Sequence, residues 1–143
     1  MLLLIQHRIL KEKSYAYVEV RQTPTLGELV RAARLLVKDA DFSADLNRIC
    51  DLSTANLSHF KIDELVQFVD FAKQYVPLSR TARVAIVAPD EARSGILRSF
   101  AELIDTGLFQ MFYDPAEAVK WVQERPHAYG EDGEFCKILG GVA

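Results

Sequence analysis

Arg83-Val84-Ala85-Ile86-Val87-Ala88-Pro89-Asp90 decides the fold of this 143-residue chain. The run is almost continuously apolar and too short for a helix. It ends in a proline turn. Those features mark a central strand covered on both faces, which in turn implies a parallel sheet with crossover helices. A helix is expected over 90–105, with Gly107 just past its end. Phe109 to Tyr113 reads as the last strand. Asp114-Pro115-Ala116-Glu117 then opens a helix with a capping aspartate, proline at the first helical position and Glu117 closing a capping box. Ala118, Val119 and Val122 turn inward, with Trp121 beside them, and Pro126 ends the element.

Upstream of the central strand, residues 61–76 form a helix that Pro77 stops. Leu46 to Leu52 is a short third strand ending in Asp51-Leu52-Ser53. Pro24-Thr25-Leu26-Gly27-Glu28 starts an earlier helix, with Thr25 as cap and Glu28 three residues on. Leu26, Leu29, Val30, Ala33, Leu36 and Val37 give that helix one apolar stripe. Residues 2–10 and 15–22 read as an antiparallel hairpin, the second strand alternating strictly with period two. The order ββαβαβαβα predicts an α/β domain: a single, mostly parallel mixed sheet with an N-terminal antiparallel hairpin. The domain spans 1–125. Residues 126–143, with four glycines, read as a flexible tail.

The chain carries a formal net charge of −3 and 50% hydrophobic residues, so a nucleic-acid partner, which calls for a basic face, is not expected. Charge is uneven: residues 1–38 hold seven basic and three acidic side chains, leaving the remainder at −7. Two cysteines, Cys50 and Cys136, make no disulfide framework. Cys50 reads as a small core residue and Cys136 as an exposed thiol. With no signal segment and no membrane-length apolar run, a cytoplasmic location is expected. His7, His59 and His127 lack metal-ligand spacing. The glycines form no phosphate loop, and no nucleophile elbow is present. No metal or other cofactor is expected.

The element order and several local patterns resemble the SpoIIAA-like family, a branch of the STAS domains of anti-sigma-factor antagonist type, related in fold to the Sec14 lipid-binding domain. The resemblance covers about residues 2–124. Its carriers are the initial hairpin, the Asp51-Leu52-Ser53 ending, Val84 to Asp90 running into Gly95-Ile96-Leu97-Arg98, and the closing Phe112-Tyr113-Asp114 with Glu117 to Trp121. It implies a non-enzymatic regulatory module, or one that binds a protein or a small ligand, sometimes as a dimer. The family's phosphorylatable serine is not carried over. The matching stretch, Leu57-Ser58-His59-Phe60-Lys61-Ile62, lacks the Ser-Gly core, and Ser58 reads as a helix N-cap.

Asp51 sits where receiver domains hold a phosphoacceptor aspartate. That chemistry needs acidic Mg²⁺ ligands after the first strand, and the strand here ends His7-Arg8-Ile9-Leu10. A structural role, accepting backbone N–H groups in the following turn, fits better. Ligands of open parallel sheets bind outside the carboxyl ends of the strands. The candidate ligand edge is therefore Asp51, Ser53, Thr54, Asp90, Arg93 and Tyr113, suited to a small anionic or lipid-like ligand. A competing reading makes the chain a small enzyme using Asp51, Asp90 and Tyr113 as acid/base groups. On the helix at 61–76, one stripe (Ile62, Leu65, Val66, Val69, Ala72, Val76) covers the sheet, while Phe68, Phe71 and Tyr75 form a second. That second stripe is the candidate interface of a homodimer.

Overall fold

A computed structural model of the chain describes residues 4–89 and 108–124. Five strands form one sheet in the order β1 to β5: β1 (Ile5–Leu10), β2 (Tyr15–Gln22), β3 (Asn47–Ala55), β4 (Arg83–Val87) and β5 (Leu108–Phe112). β1 and β2 are antiparallel, and every other pair is parallel. The helices of the described residues are α1 (Leu26–Lys38), α2 (Ile62–Tyr75) and α3 (Pro115–Gln123). The helix expected over 90–105 and the tail at 126–143 lie outside the described residues.

The hairpin closes through one 3-10 turn, Lys11–Lys13, with Ser14 in the left-handed region at φ 63°. Thr25 and Asp114 cap their helices as expected, but only Thr25 forms the expected capping box. In α1 the Glu28 N–H donates to Thr25 Oγ1 at 3.1 Å, and Glu28 Oε1 accepts the Thr25 N–H at 2.7 Å, a complete capping box. In α3 Asp114 Oδ1 accepts the N–H of Ala116 at 3.0 Å, so the cap bond reaches the second helical residue rather than Glu117. The start of α2 differs from expectation. Lys61 occupies the N-cap position and Glu64 accepts its N–H at 3.0 Å. Ser58 is no cap: its N–H and hydroxyl both go to Asn56 Oδ1, at 3.1 and 2.8 Å. An Asn side chain two residues upstream gives this backbone a local turn that competes with a helix start.

Right-handed crossovers between successive neighbouring strands place their helices on one face. Accordingly α1 and α2 pack together on that face. α3 follows the last strand, is free of that constraint, and covers the other face against β3, β4 and β5. Beneath α3 lies a closed core of Tyr15, Ile49, Ala85, Val87, Ala118 and Val122. Asn47 ties it off, its Nδ2 donating to Val122 O at 2.7 Å and its Oδ1 accepting Arg83 N–H at 2.8 Å. Val84 to Val87 are all buried, as expected of a strand covered on both faces.

β3 runs to Ala55, three residues beyond the expected end. Glu19 pairs with Asp51 but Arg21 pairs with Thr54, so β3 carries one extra residue. A bulge of this kind interrupts the period-two pattern, and the strand's far half is hidden by it.

Candidate functional site

The expected ligand edge is only partly assembled. Asp51 sits opposite Val87 at the end of β4 and is 6% exposed. Its Oδ1 accepts the Ser53 N–H at 3.0 Å and the Ser53 hydroxyl at 2.6 Å. Its Oδ2 accepts a short bond from the Tyr17 hydroxyl. The Ser53 N–H lies in the bulge, where the ladder offers it no regular partner, so the carboxylate holds the irregular backbone. This is the structural role expected of Asp51. Burial first, and the Asp51 bond second, hold the Tyr17 phenol well above its ordinary pKa. Arg8 rests over the Tyr17 ring at 5.7 Å. Thr54 is exposed, and Tyr113, just beyond β5, is 40% exposed. Asp90 and Arg93 lie outside the described residues. Tyr17 escaped the sequence reading although period two places it on the same face as Asp51, one strand away.

On the opposite face, α2 packs against α1 and stands off from the sheet. Between sheet and helices lies a chamber of about 460 Å³. From the sheet it is lined by Val18, Val20, Cys50, Leu52, Val84 and Ile86, and from the helices by Leu29, Ala33, Leu36, Leu65, Phe68 and Ala72. Small side chains at Ala32, Ala33 and Ala72 leave the space that larger ones would fill.

Two polar residues of β3 border this apolar space. Arg48 is 7% exposed. Its Nη2 donates to the carbonyls of Pro77 at 2.5 Å, Ala44 at 3.3 Å and Ser43 at 3.4 Å. The guanidinium also rests over the Phe42 ring at 4.9 Å. Nε is buried with no acceptor. Burial lowers the Arg48 pKa from its ordinary value. Cys50 is a half-buried free thiol that borders the chamber, and its desolvated setting raises its pKa from 9.0 to about 11. The visible signal was the alternation Arg48, Cys50, Leu52: a cation and a small thiol on one face of an otherwise apolar central strand.

The aromatic residues of α2 separate into three environments. Phe68 lines the chamber with Leu65 and Ala72, so it belongs to the sheet-facing side rather than to a second, outward stripe. Three residues turn a helix by about 300°, which leaves Phe68 only about 60° from Leu65. Phe71 lies at the α1–α2 seam, under the Arg34 guanidinium at 5.4 Å. Tyr75, whose ring centroid is 5.0 Å from that of Phe71, is 59% exposed. Among the described residues no three His, Cys, Asp or Glu side chains converge as metal ligands, and no helix is long and apolar enough to cross a membrane.

An N-terminal hairpin on a parallel sheet, paired crossover helices on one face and a closing helix on the other define a SpoIIAA-like α/β domain. The chain is similar to the crystal structure of an uncharacterized protein from the DUF3478 family with a SpoIIAA-like fold from Shewanella loihica PV-4. The TM-score is 0.59 at 16% identity, covering 82% of this chain and 91% of that one. At this identity the likeness shows the fold alone. No family model matches the chain, and no curated protein matches it in sequence.

Proposed function

We propose that this protein is a non-catalytic binding module that holds a small apolar molecule between the sheet and the α1–α2 layer. The observation that carries this reading is the chamber itself. Its volume of about 460 Å³ falls within the roughly 300–1,000 Å³ typical of small-molecule sites. It sits on the side of the sheet where α2 stands off, whereas the α3 side is closed. A ligand there would join α1, α2 and β3 into one unit, and ligand-dependent ordering of such a layer is how a regulatory module could report occupancy to a protein partner.

The competing acid/base reading depends on Asp51. Both of its oxygens are engaged, one by Tyr17 and one by Ser53, and the residue is buried. A general base must reach its substrate's proton. Asp51 could do so only by giving up the bonds that hold the β3 bulge.

A neutral, polarity-sensitive dye tests the chamber. Titration should give saturable fluorescence enhancement with the wild type. Cys50→Leu, which adds volume inside the chamber, should weaken it while leaving the fold's circular dichroism unchanged. Equal binding by both proteins would place the dye elsewhere, and no binding to the wild type would remove the proposal.

A further inference from the structure

We propose that the chamber's ligand is an amphipathic anion: a long-chain carboxylate whose head group meets Arg48 and whose tail runs along the apolar face of β3. This rests on the chamber reading above and adds the charge of the ligand to it.

The charge pattern of the walls is one-sided. Among the described lining residues are two cations, Arg48 and Lys73, and no carboxylate. Arg48 is more than nine-tenths buried. Among the described residues it has carbonyl acceptors but no acidic partner. A buried cation without a counter-charge is costly unless hydrogen bonds and a partner anion compensate it. Here three carbonyls occupy Nη2 and the Phe42 ring covers the guanidinium face, while the buried Nε–H has no acceptor. The Nε–H is the donor left for a ligand carboxylate oxygen, and a hydrogen bond between two charged groups is stronger than a neutral one.

Position supplies the direction of binding. Arg48 is the second residue of β3 and bonds the Pro77 carbonyl just past the end of α2. The polar end of the chamber thus lies at the amino ends of the parallel strands, opposite the edge expected from general α/β rules. From Arg48 the same face of β3 continues through Cys50 to Leu52, about 13 Å at strand rise, with Val20, Leu65 and Ile86 around it. A single alkyl chain fits that course, and nothing polar interrupts it among those residues.

The test displaces the neutral dye with tetradecanoate, 1-tetradecanol and methyl tetradecanoate. Hydrogen bonds to a charged group are worth enough to make the acid bind roughly 10- to 100-fold more tightly than the alcohol. Shortening the acid should cost roughly fourfold per methylene. Arg48→Met should erase the acid's advantage over the alcohol, Arg48→Lys should retain part of it, and Lys73→Ala should leave most of it. If Arg48→Met does not fold, the wild-type acid-to-alcohol ratio decides alone. Alcohol binding as tightly as acid, with dye binding intact, overturns the anion and leaves the chamber reading standing. An advantage lost in Lys73→Ala but kept in Arg48→Met overturns the assignment to Arg48. Failure of the dye and of all three lipids removes both readings.

Discussion

The Tyr17 hydroxyl donates to the Asp51 carboxylate diagonally across the β2–β3 pair, while the same carboxylate holds Ser53 in the β3 bulge. That linkage closes the α3 face of the sheet with satisfied polar groups. The apolar, unfilled volume is left to the opposite face. The two faces of one sheet therefore have different tasks, one holding the fold together and the other offering space.

Removing this linkage should cost stability and spare ligand binding. Tyr17→Phe leaves a buried carboxylate oxygen short of one donor and should destabilise by about 1–2 kcal/mol. Asp51→Ala also strips the Ser53 N–H in the bulge and should cost about 3 kcal/mol. Urea midpoints measure both. Dye affinity extrapolated to the folded fraction should stay at the wild-type value, and a selective loss of affinity would mean that the α3 face takes part in binding.

The helix caps give an independent check on the local structure. Thr25→Ala and Asp114→Ala should each lower stability by about 1 kcal/mol, within the usual 0.5–2 kcal/mol range for caps. Ser58→Ala should have little effect on α2, because Glu64 and Lys61 make its first turn. A loss of 1 kcal/mol or more at Ser58 would contradict the observed start of that helix.

Cys50 should behave as a shielded thiol. Its pKa is raised from 9.0 to about 11 by burial, so at pH 8 the thiolate fraction is about a hundredfold below that of an unperturbed cysteine. Alkylation in a Cys136→Ser background should be slower by a similar factor. The folded pKa lies above the unfolded one, so the related stability is complete below about pH 9 and declines as pH rises toward about 11. Tetradecanoate should slow alkylation further. Reaction at the rate of a free thiol at pH 8 would show that Cys50 is not held where the structure puts it.

A homodimer through α2, proposed from its aromatic content, now rests on a narrower surface. Phe68 faces the chamber and Phe71 lies under Arg34, which leaves Tyr75 and Ile62, 59% and 54% exposed, as the outward residues. Sedimentation velocity should show Tyr75→Ala weakening self-association without unfolding, whereas Phe71→Ala should destabilise the protomer itself. A wild type that sediments as a monomer at micromolar concentration would end the dimer.

Where structure depends on neighbouring residues, the sequence was legible. Val84 to Val87, Thr25 with Glu28, and Asp114-Pro115 each announce their element through sterics or a cap bond within a few residues. Hidden features depend on distant pairing. The extra residue in β3 shows only in its register with β2, so local alternation ends the strand at Leu52. Helical spacing alone groups Phe68 with Phe71 and Tyr75, whereas the packing partner sets the direction of the face and turns Phe68 toward the chamber. The chamber follows from how far α2 stands off the sheet, which no local pattern encodes. Even so, Arg48 and Cys50 on one face of a central strand were an available sign that this face is not ordinary core.

Amide and methyl chemical-shift mapping with a neutral apolar ligand tests the central claim most directly. Val18, Val20, Leu29, Leu65 and Ile86, which line the chamber, should shift together and saturate with one dissociation constant, while Ile49, Ala118 and Val122 beneath α3 stay in place. Shifts confined to Asp51, Thr54 and Tyr113 at the strand ends, or scattered over the surface without saturation, would contradict it.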